Sequence, residues 1–184
     1  MLKLLVGLGN PGDRYINTRH NIGFEIIDGL SQLHKTECDR TGFHGTYVKL
    51  HAPDLLLFKP TTYMNNSGIA VAEISRFFKI NSTDIFVFHD DLDFNIGRVK
   101  VKKGGSSGGH NGLKSLDTHV GTDYWRIRIG ISKPENKHDV SNYVLQKFTV
   151  EQSDVIDLVI KKIVSDTQIL LNHGAEKFLS RFYS

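Results

Sequence analysis

The chain has 184 residues, which suits one domain with a full hydrophobic core, and its apolar and charged fractions of 39% and 23% are ordinary for a globular protein. Its net charge of +3 permits an anionic partner without requiring one. No apolar run approaches the roughly 20 residues of a membrane span, and the N-terminus does not resemble a signal peptide. The single cysteine, Cys38, excludes an internal disulfide and favours a reducing, cytoplasmic location.

Hydrophobic patterning in the first half of the chain predicts strands that alternate with amphipathic helices. Short apolar runs bounded by turn residues indicate the strands, and apolar residues at helical spacing indicate the helices. The predicted elements are a strand at 2–8, a helix at 22–33, a hairpin of strands at 43–51 and 55–58, a helix at 69–78 and a strand at 84–89.

The second half of the chain continues this alternation and contains a glycine-serine loop. The predicted elements are a strand at 97–101, the loop at 104–109, a helix at 111–120, a half-buried strand at 125–131, a long helix from the capping-box residue Thr149 to about 171, and a last short helix after Gly174. We therefore expect a single α/β domain over residues 1–184, with a mixed, twisted sheet of parallel and antiparallel strands flanked by helices.

The first predicted strand runs into GLGNPG at 7–12, which matches the G-x-G-x-x-G fingerprint of dinucleotide-binding turns. A dinucleotide site also needs a helix that begins at the turn and an acid at the end of the second strand. Here Pro11 lies inside the fingerprint, the next apolar periodicity begins only near Ile22, and the second predicted strand does not end in an acid. Binding of NAD or FAD is therefore disfavoured, and a tight turn that presents Asn10 is the better interpretation.

Three clusters of glycines and polar residues lie at the ends of predicted elements. They are NPGDRYINTRHNIGF at 10–24, PTTYMNNSG at 60–68 and GGSSGGHNG at 104–112. Each offers an amide, from Asn10, Asn65 or Asn111, and an amide suits the fixing of a carbonyl or a water rather than proton abstraction. Ligands of open α/β sheets bind beyond the carboxyl ends of the strands, which makes these clusters candidates for one site.

The glycine-serine loop at 104–109 has the glycine spacing of a nucleotide-binding P-loop. His110 and Asn111 stand where a lysine and a serine or threonine would be needed, which disfavours that function. Two interpretations remain open. The loop is either a flexible surface segment, or a mobile lid or phosphate-contacting loop whose backbone N–H groups cradle an anion.

Three acids, Asp90, Asp91 and Asp93, directly follow a predicted buried strand. Clustered carboxylates suit Mg²⁺, although no fourth acid lies nearby and His20 would be a poor ligand for that ion. Alternatively, one carboxylate orients a histidine that takes a proton, as in a Ser-His-Asp triad without the serine. His20 is the candidate base, although with nine histidines in the chain a surface or core role is the more common one.

Basic residues cluster in the second half of the chain. They are Lys100, Lys102, Lys103, Arg126, Arg128 and Lys133. Such a run most often forms a solvated face, and contact with an anionic partner such as nucleic acid is the alternative.

Taken together, the motifs GLGNPGDRYINTRHNIGF, KPTTYMNNSG, HDDLDF and GGSSGGHNGLKS, followed by WRIRIGI, resemble bacterial-type peptidyl-tRNA hydrolases in their order and separation. The resemblance covers essentially the whole chain from Leu4, and after about Ser132 it rests on helical pattern and position. It implies a monomeric, cytoplasmic α/β enzyme without a metal or organic cofactor. Such an enzyme hydrolyses the ester between a peptide, or an N-blocked amino acid, and the 3′-terminal ribose of tRNA, which recycles tRNA from aborted translation.

The resemblance also implies roles for individual residues. His20 matches the base that activates water, Asp90 the carboxylate that supports it, and Asn10 the amide that discriminates a blocked α-amino group from a free one. The positions that contact the end of peptidyl-tRNA are Tyr15, Tyr63, Asn65 and Asn111, and those expected to meet tRNA phosphate are Lys100, Lys102 and Arg128. Tyr63 stands where the family also uses Phe, and Asp91 stands where Glu is common.

Three functional classes therefore remain for comparison with the structure. Ester hydrolysis of peptidyl-tRNA accounts for all the polar clusters. A dinucleotide-dependent oxidoreductase lacks its acid, and a non-catalytic RNA-binding module leaves His20, Asp90 and the amides unexplained. Cys38 has no motif around it, so we expect water to attack directly, without a covalent intermediate.

Overall fold

A seven-stranded mixed sheet forms the centre of the computed structural model, which describes residues 1–184. The strands are β1 (Lys3–Gly7), β2 (Arg40–Gly42), β3 (Gly45–His51), β4 (Asp54–Pro60), β5 (Ile85–Asp91), β6 (Val99–Lys103) and β7 (Trp125–Gly130). They lie in the order β2-β3-β4-β1-β5-β7-β6. The central pairs β4–β1, β1–β5 and β5–β7 are parallel, and the outer pairs are antiparallel, which confirms the predicted mixed α/β fold.

Helices cover both faces of the sheet. They are α1 (Ile22–Leu33), α2 (Ser67–Phe77), α3 (Asn111–His119), α4 (Val140–Val144), α5 (Val150–His173) and α6 (Ala175–Tyr183). Leu5 of β1 packs in one core cluster with α1, α5 and α6, whereas Leu4 and Val6 pack in a second cluster with α2 and α3. This follows from the alternation of side chains along a strand. No helix has both the length and the apolar character needed to cross a membrane.

Several elements differ from the sequence prediction in their bounds or existence. Strand β2 and helix α4 were not predicted, because three and five residues are too short to show a periodicity. Phe43 and His44 form the turn between β2 and β3, both with φ near 55°, instead of starting a strand. Strand β6 begins at Val99 rather than at residue 97, since Gly97 has a φ of 80° and belongs to the preceding turn.

Two glycines allow the start of α1 to pack directly on the ends of β1 and β5. A Cβ on Gly7 would lie 2.1 Å from the carbonyl oxygen of Gly23, and a Cβ on Gly23 would lie 2.4 Å from both Leu8 N and Phe88 O. Gly7, the first glycine of the G-x-G-x-x-G match, therefore allows close packing of β1 against α1. As a result, His20 lies directly beyond the carboxyl ends of β1 and β5, two residues before α1 begins.

A buried carboxyl group lies between α1 and α5. Glu25 on α1 lines a groove with Asp28 and Asp157, and its Oε1 is buried without a hydrogen-bond partner. Burial, followed by repulsion from Asp157 and Asp28, raises the pKa of Glu25 from 4.5 to about 7. The folded chain therefore binds this proton more tightly than the unfolded chain does. Glu25 lowers the free energy of unfolding as the pH rises from its unfolded pKa through its folded one.

We expect Glu25→Gln to stabilise the fold at pH 8 by about 2 to 3 kcal/mol, because the variant no longer has to desolvate a charge. At pH 4 the carboxyl is largely protonated in both states, and the variant and the parent chain should have nearly equal stability. Urea denaturation at both pH values measures the difference. Glu37→Gln, at an exposed position, is the matched control and should have little effect at either pH. An equal effect of Glu25→Gln at both pH values would contradict this account.

Candidate functional site

A cavity of about 530 Å³ lies beside the carboxyl end of β5. Its walls are the end of β5, the glycine-serine loop with the start of α3, the facing side of β6 and β7, and α4. Five of the residues to which the resemblance assigns a role line it together: His20, Asp90, Lys102, Asn111 and Arg128. The cavity therefore gathers the histidine, the carboxylate, one amide and two cations from distant parts of the chain.

His20 and Asp90 form a buried pair at this cavity. His20 Nδ1 lies 2.9 Å from both carboxylate oxygens of Asp90, and the two side chains are 10% and 2% exposed. An ionised carboxylate can only accept, so the imidazole carries its proton on Nδ1 and donates it. The lone pair then lies on Nε2, which has no protein partner. This tautomer leaves His20 ready to accept a proton on the cavity side.

His110 is a second histidine on the same carboxylate, and the sequence analysis missed this role. Its Nε2 lies 2.9 Å from Asp90 Oδ1, and its Nδ1 accepts from the N–H groups of Gly112 (3.1 Å) and Leu113 (3.4 Å). Since Nδ1 accepts, the ring proton is on Nε2, which donates to Asp90. The signal was its position at the N-cap of α3, directly before Asn111.

The two imidazoles keep the buried carboxylate ionised. Burial by itself would raise the pKa of Asp90, but the electrostatic attraction of the His20 and His110 rings and their hydrogen bonds outweigh it and hold that pKa below its usual range. The neighbouring His89 is also buried, and burial, reinforced by His110, lowers its pKa to about 3. His89 therefore stays neutral, and its Nδ1–H donates to the carbonyl oxygen of Asp90 over 2.8 Å.

The same three side chains have the composition of a small metal site. One ligand atom from each of His20, Asp90 and His110 lies within 4.8 Å of the others. However, a metal on Nε2 of His110 would move the ring proton to Nδ1, where two backbone N–H groups already point. The hydrogen bonds of His110 therefore fit a protonated Nε2 that donates to Asp90, and do not fit a metal ligand.

The three acids of HDDLDF do not converge on one point. Asp91 Oδ2 pairs with Arg128 Nε at 2.7 Å, and Asp93 Oδ1 pairs with Lys133 Nζ at 2.8 Å. Asp90 points to the histidines instead. Of the two interpretations left open for this motif, the structure favours a carboxylate that orients a histidine over a magnesium site.

Asn10 is fixed by a reciprocal pair of hydrogen bonds with Asn21. The N–H of Asn10 donates to Asn21 Oδ1, and Asn21 Nδ2 donates to the carbonyl oxygen of Asn10, both over 2.9 Å. The side-chain Oδ1 of Asn10 accepts from the N–H of Met64 over 2.8 Å. This bond fixes the orientation of the amide. Its Nδ2 donors have no acceptor within the protein and remain available to a ligand.

The remaining predicted contact residues form a rim next to Asn10. The rings of Tyr15 and Tyr63 meet edge to face with centroids 6.3 Å apart, and Tyr63 is 55% exposed. Asn65 is exposed in the turn that follows Tyr63. These three side chains and Asn10 itself do not line the cavity, and the bond between Asn10 and Met64 joins Asn10 to the segment that follows Tyr63.

The basic residues of β6 and β7 divide into exposed and buried groups. Lys100 and Lys102 are exposed and lie opposite Arg128 and Arg126 in the strand register. Arg128 is partly exposed and already paired with Asp91. Arg126, expected from the sequence to belong to a solvated basic run, is instead 2% exposed and bonded to the glycine-serine loop. The glycine-serine loop buries Arg126, and the residue periodicity of strand β7 contains no information about that loop.

Another buried arginine holds the α4 wall next to the catalytic candidate. Nη1 of Arg19 donates to the carbonyl oxygens of Tyr143 (3.2 Å) and Gln146 (3.3 Å), and its guanidinium lies 4.0 Å from the centroid of the Tyr143 ring. Because Arg19 directly precedes His20, the same short segment positions both the histidine and one wall of the cavity.

Comparisons with known proteins identify the family of this chain. A family model described as peptidyl-tRNA hydrolase matches residues 4–184. A peptidyl-tRNA hydrolase of Aliarcobacter butzleri is 47% identical over 180 residues, or 97% of each chain, and one of Sulfurovum sp. is 44% identical over all of this chain and 96% of its own. The crystal structure of peptidyl-tRNA hydrolase from Acinetobacter baumannii matches with a TM-score of 0.91 and 36% identity, over 98% of this chain and 94% of that one. The chain therefore belongs to the peptidyl-tRNA hydrolase family.

Proposed function

We propose that this chain hydrolyses the ester bond between a peptide, or an N-blocked amino acid, and the 3′-terminal ribose of tRNA. The observation that carries the proposal is the buried pair of His20 and Asp90, which leaves Nε2 of His20 as a free proton acceptor at the cavity. A positioned histidine of this kind is a general base that can activate water. Membership of the family supplies the identity of the ester.

In this mechanism Nε2 of His20 takes a proton from a water molecule as its oxygen attacks the ester carbonyl carbon. Asp90 stabilises the imidazolium that forms, and His110 keeps Asp90 ionised and in place. When the bond between the carbonyl carbon and the ribose oxygen breaks, the imidazolium returns its proton to that oxygen. Free tRNA leaves, the peptide carboxylic acid ionises by releasing its remaining proton to the solvent, and no covalent enzyme intermediate is formed.

The amides act on the carbonyl groups of the substrate. In this mechanism the unpaired Nδ2 of Asn10 and the exposed side chain of Asn111 donate to the oxyanion that develops, or to the peptide group of a blocked α-amine. A free α-ammonium group is a donor and would meet donors there, which accounts for discrimination between blocked and free amino acids. Tyr15, Tyr63 and Asn65 extend this contact along the peptide.

The exposed cations of β6 and β7 bind the tRNA. Lys100, Lys102 and Arg128 lie on one face of the two strands beside the cavity, where they can contact phosphate groups near the 3′ end. We place the enzyme in the cytoplasm, where translation produces its substrate. We also expect it to act as a monomer, because one chain supplies every group of the proposed mechanism.

The first test is release of an N-acetylated amino acid from its tRNA. We expect His20→Ala to lower kcat by about 10²- to 10⁴-fold, the usual contribution of a general base, with the fold intact. EDTA should leave the wild-type rate unchanged. His51→Ala, at an exposed position at the end of β3, is the control and should keep full activity. Near-full activity of His20→Ala would exclude His20 as the base. Loss of wild-type activity in EDTA would indicate a metal site. A wild type that shows no turnover would favour the RNA-binding module instead.

The hydrogen bond of His110 to Asp90 can be separated by mutation from the function of His110 as the N-cap of α3. We expect His110→Ala to lower kcat by about tenfold or more, because a buried carboxylate loses a hydrogen bond. His110→Asn retains a good N-cap for α3 but is too short to reach Asp90, so it should restore thermal stability without restoring kcat. Recovery of kcat in His110→Asn would assign the effect to the cap alone.

The lysines are expected to bind rather than react. The double variant Lys100→Ala, Lys102→Ala should raise KM for a tRNA substrate with little change in kcat, and should weaken the dependence of KM on salt. The double variant Lys161→Ala, Lys177→Ala, at exposed positions of α5 and α6, removes the same two charges and is the matched control. A large fall in kcat at constant KM, or a salt dependence that does not change, would contradict phosphate contact by these lysines.

A further inference from the structure

Arg126 binds the glycine-serine loop from beneath. Its Nη1 donates to the carbonyl oxygen of Ser106 over 2.6 Å, and its Nη2 donates to the carbonyl oxygen of Gly105 over 2.8 Å. Asp117 on α3 pairs with the same guanidinium at 2.9 Å, and Asp117 also accepts from the hydroxyl of Tyr124 at 2.8 Å. A buried cation thus fixes two consecutive peptide groups of an otherwise irregular loop.

The direction of these carbonyls determines where the adjoining N–H groups point. In a trans peptide unit the C=O and N–H bonds are antiparallel, and the Ala52–Pro53 bond is the cis peptide of this chain. Since the carbonyls of Gly105 and Ser106 point to Arg126, the N–H groups of Ser106 and Ser107 point away from it. Neither N–H has an acceptor within the protein.

The ammonium group of Lys102 and two serine side chains line the same cavity as the residues of these two N–H groups. Lys102 Nζ lies so near the loop that a Cβ on Gly105 would be 3.1 Å from it. Ser106, Ser107 and Lys102 all line the cavity that contains His20. Consecutive free N–H groups beside an ammonium group form the kind of concave donor set that binds anions.

We propose that the N–H groups of Ser106 and Ser107, with Lys102, form a phosphate subsite, and that Arg126 is the positioning residue that aims them. This inference rests on the proposed function, since it assigns the subsite to a phosphodiester near the 3′ end of the tRNA. Arg126 does not contact the phosphate. By donating to the loop carbonyl oxygens on its own side, it turns the opposite edges of the same peptide groups toward the ligand and polarises them.

The phosphate subsite is tested directly by titrating inorganic phosphate into the ¹⁵N-labelled protein at constant ionic strength. We expect saturable shifts of the Ser106 and Ser107 amide signals, which Arg126→Gln should abolish while the protein remains folded. Absence of saturable shifts in the wild type would overturn the subsite, and unchanged shifts in Arg126→Gln would overturn the positioning role. Shifts at scattered surface amides alone would identify an adventitious ion only, which also overturns it.

Kinetics distinguish a tRNA phosphate from free phosphate as the natural ligand. We compare N-acetylaminoacyl-tRNA with the N-acetylaminoacyl ester of adenosine, which has no phosphate. Arg126→Gln should raise KM for the tRNA substrate about tenfold more than KM for the adenosine ester, as expected for lost hydrogen bonds to a charged group. An equal change for both substrates would show that the subsite does not bind tRNA phosphate.

A second variant covers the case in which Arg126→Gln does not fold. Ser107→Pro removes one N–H of the subsite and leaves Arg126 in place, whereas Ser107→Ala removes the hydroxyl and keeps the N–H. We expect the proline variant alone to show the selective rise in KM for tRNA, and equal behaviour of the two would refute main-chain binding. If the wild type hydrolyses neither ester, the proposed function fails, and the phosphate titration still decides whether the subsite exists.

Discussion

The organisation of the site depends on one buried carboxylate, that of Asp90. An ionised carboxylate in a protein interior is tolerated only when hydrogen bonds replace its hydration, and two imidazole N–H groups do this here. His20 comes from the turn before α1, on one face of the sheet, and His110 comes from the start of α3, on the other. The carboxylate therefore joins the two helical layers at the end of β5, and the same bonds set the tautomer that the chemistry requires.

Two buried arginines extend this order to parts of the cavity that lack regular structure of their own. Arg19 binds the carbonyl groups of the segment that contains α4, and Arg126 binds those of the glycine-serine loop. Within the loop and the α4 segment, the acceptors are main-chain carbonyl oxygens, which every residue type provides. The walls can therefore keep their shape while their side chains change, and the side chains that face the ligand can adapt to it.

Much of this arrangement could be predicted from the sequence, and the exceptions have physical causes. The alternation of apolar runs predicted the mixed α/β fold, and the quoted motifs predicted the family. His20 and Asp90 stand in long motifs. His110 gains its role only through its hydrogen bond to Asp90, which is 20 residues away in the chain and is also bound by His20. Arg126 has the alternating spacing of a solvated strand face, but the loop that buries it has no periodicity. Strand β2 and helix α4 are too short to be recognised.

The contact of Gly23 with both strands limits how the motif around His20 can be studied. A methyl group at this position would overlap main-chain atoms of Leu8 and Phe88, and main-chain atoms cannot rotate out of the way as a flexible side chain can. In a library of all single substitutions we therefore expect position 23 to be as intolerant as position 20, although Gly23 does not line the cavity. Within this segment, intolerance to change marks two different constraints. Only a separate measurement of folded protein distinguishes Gly23, which supports the packing, from His20, the proposed base.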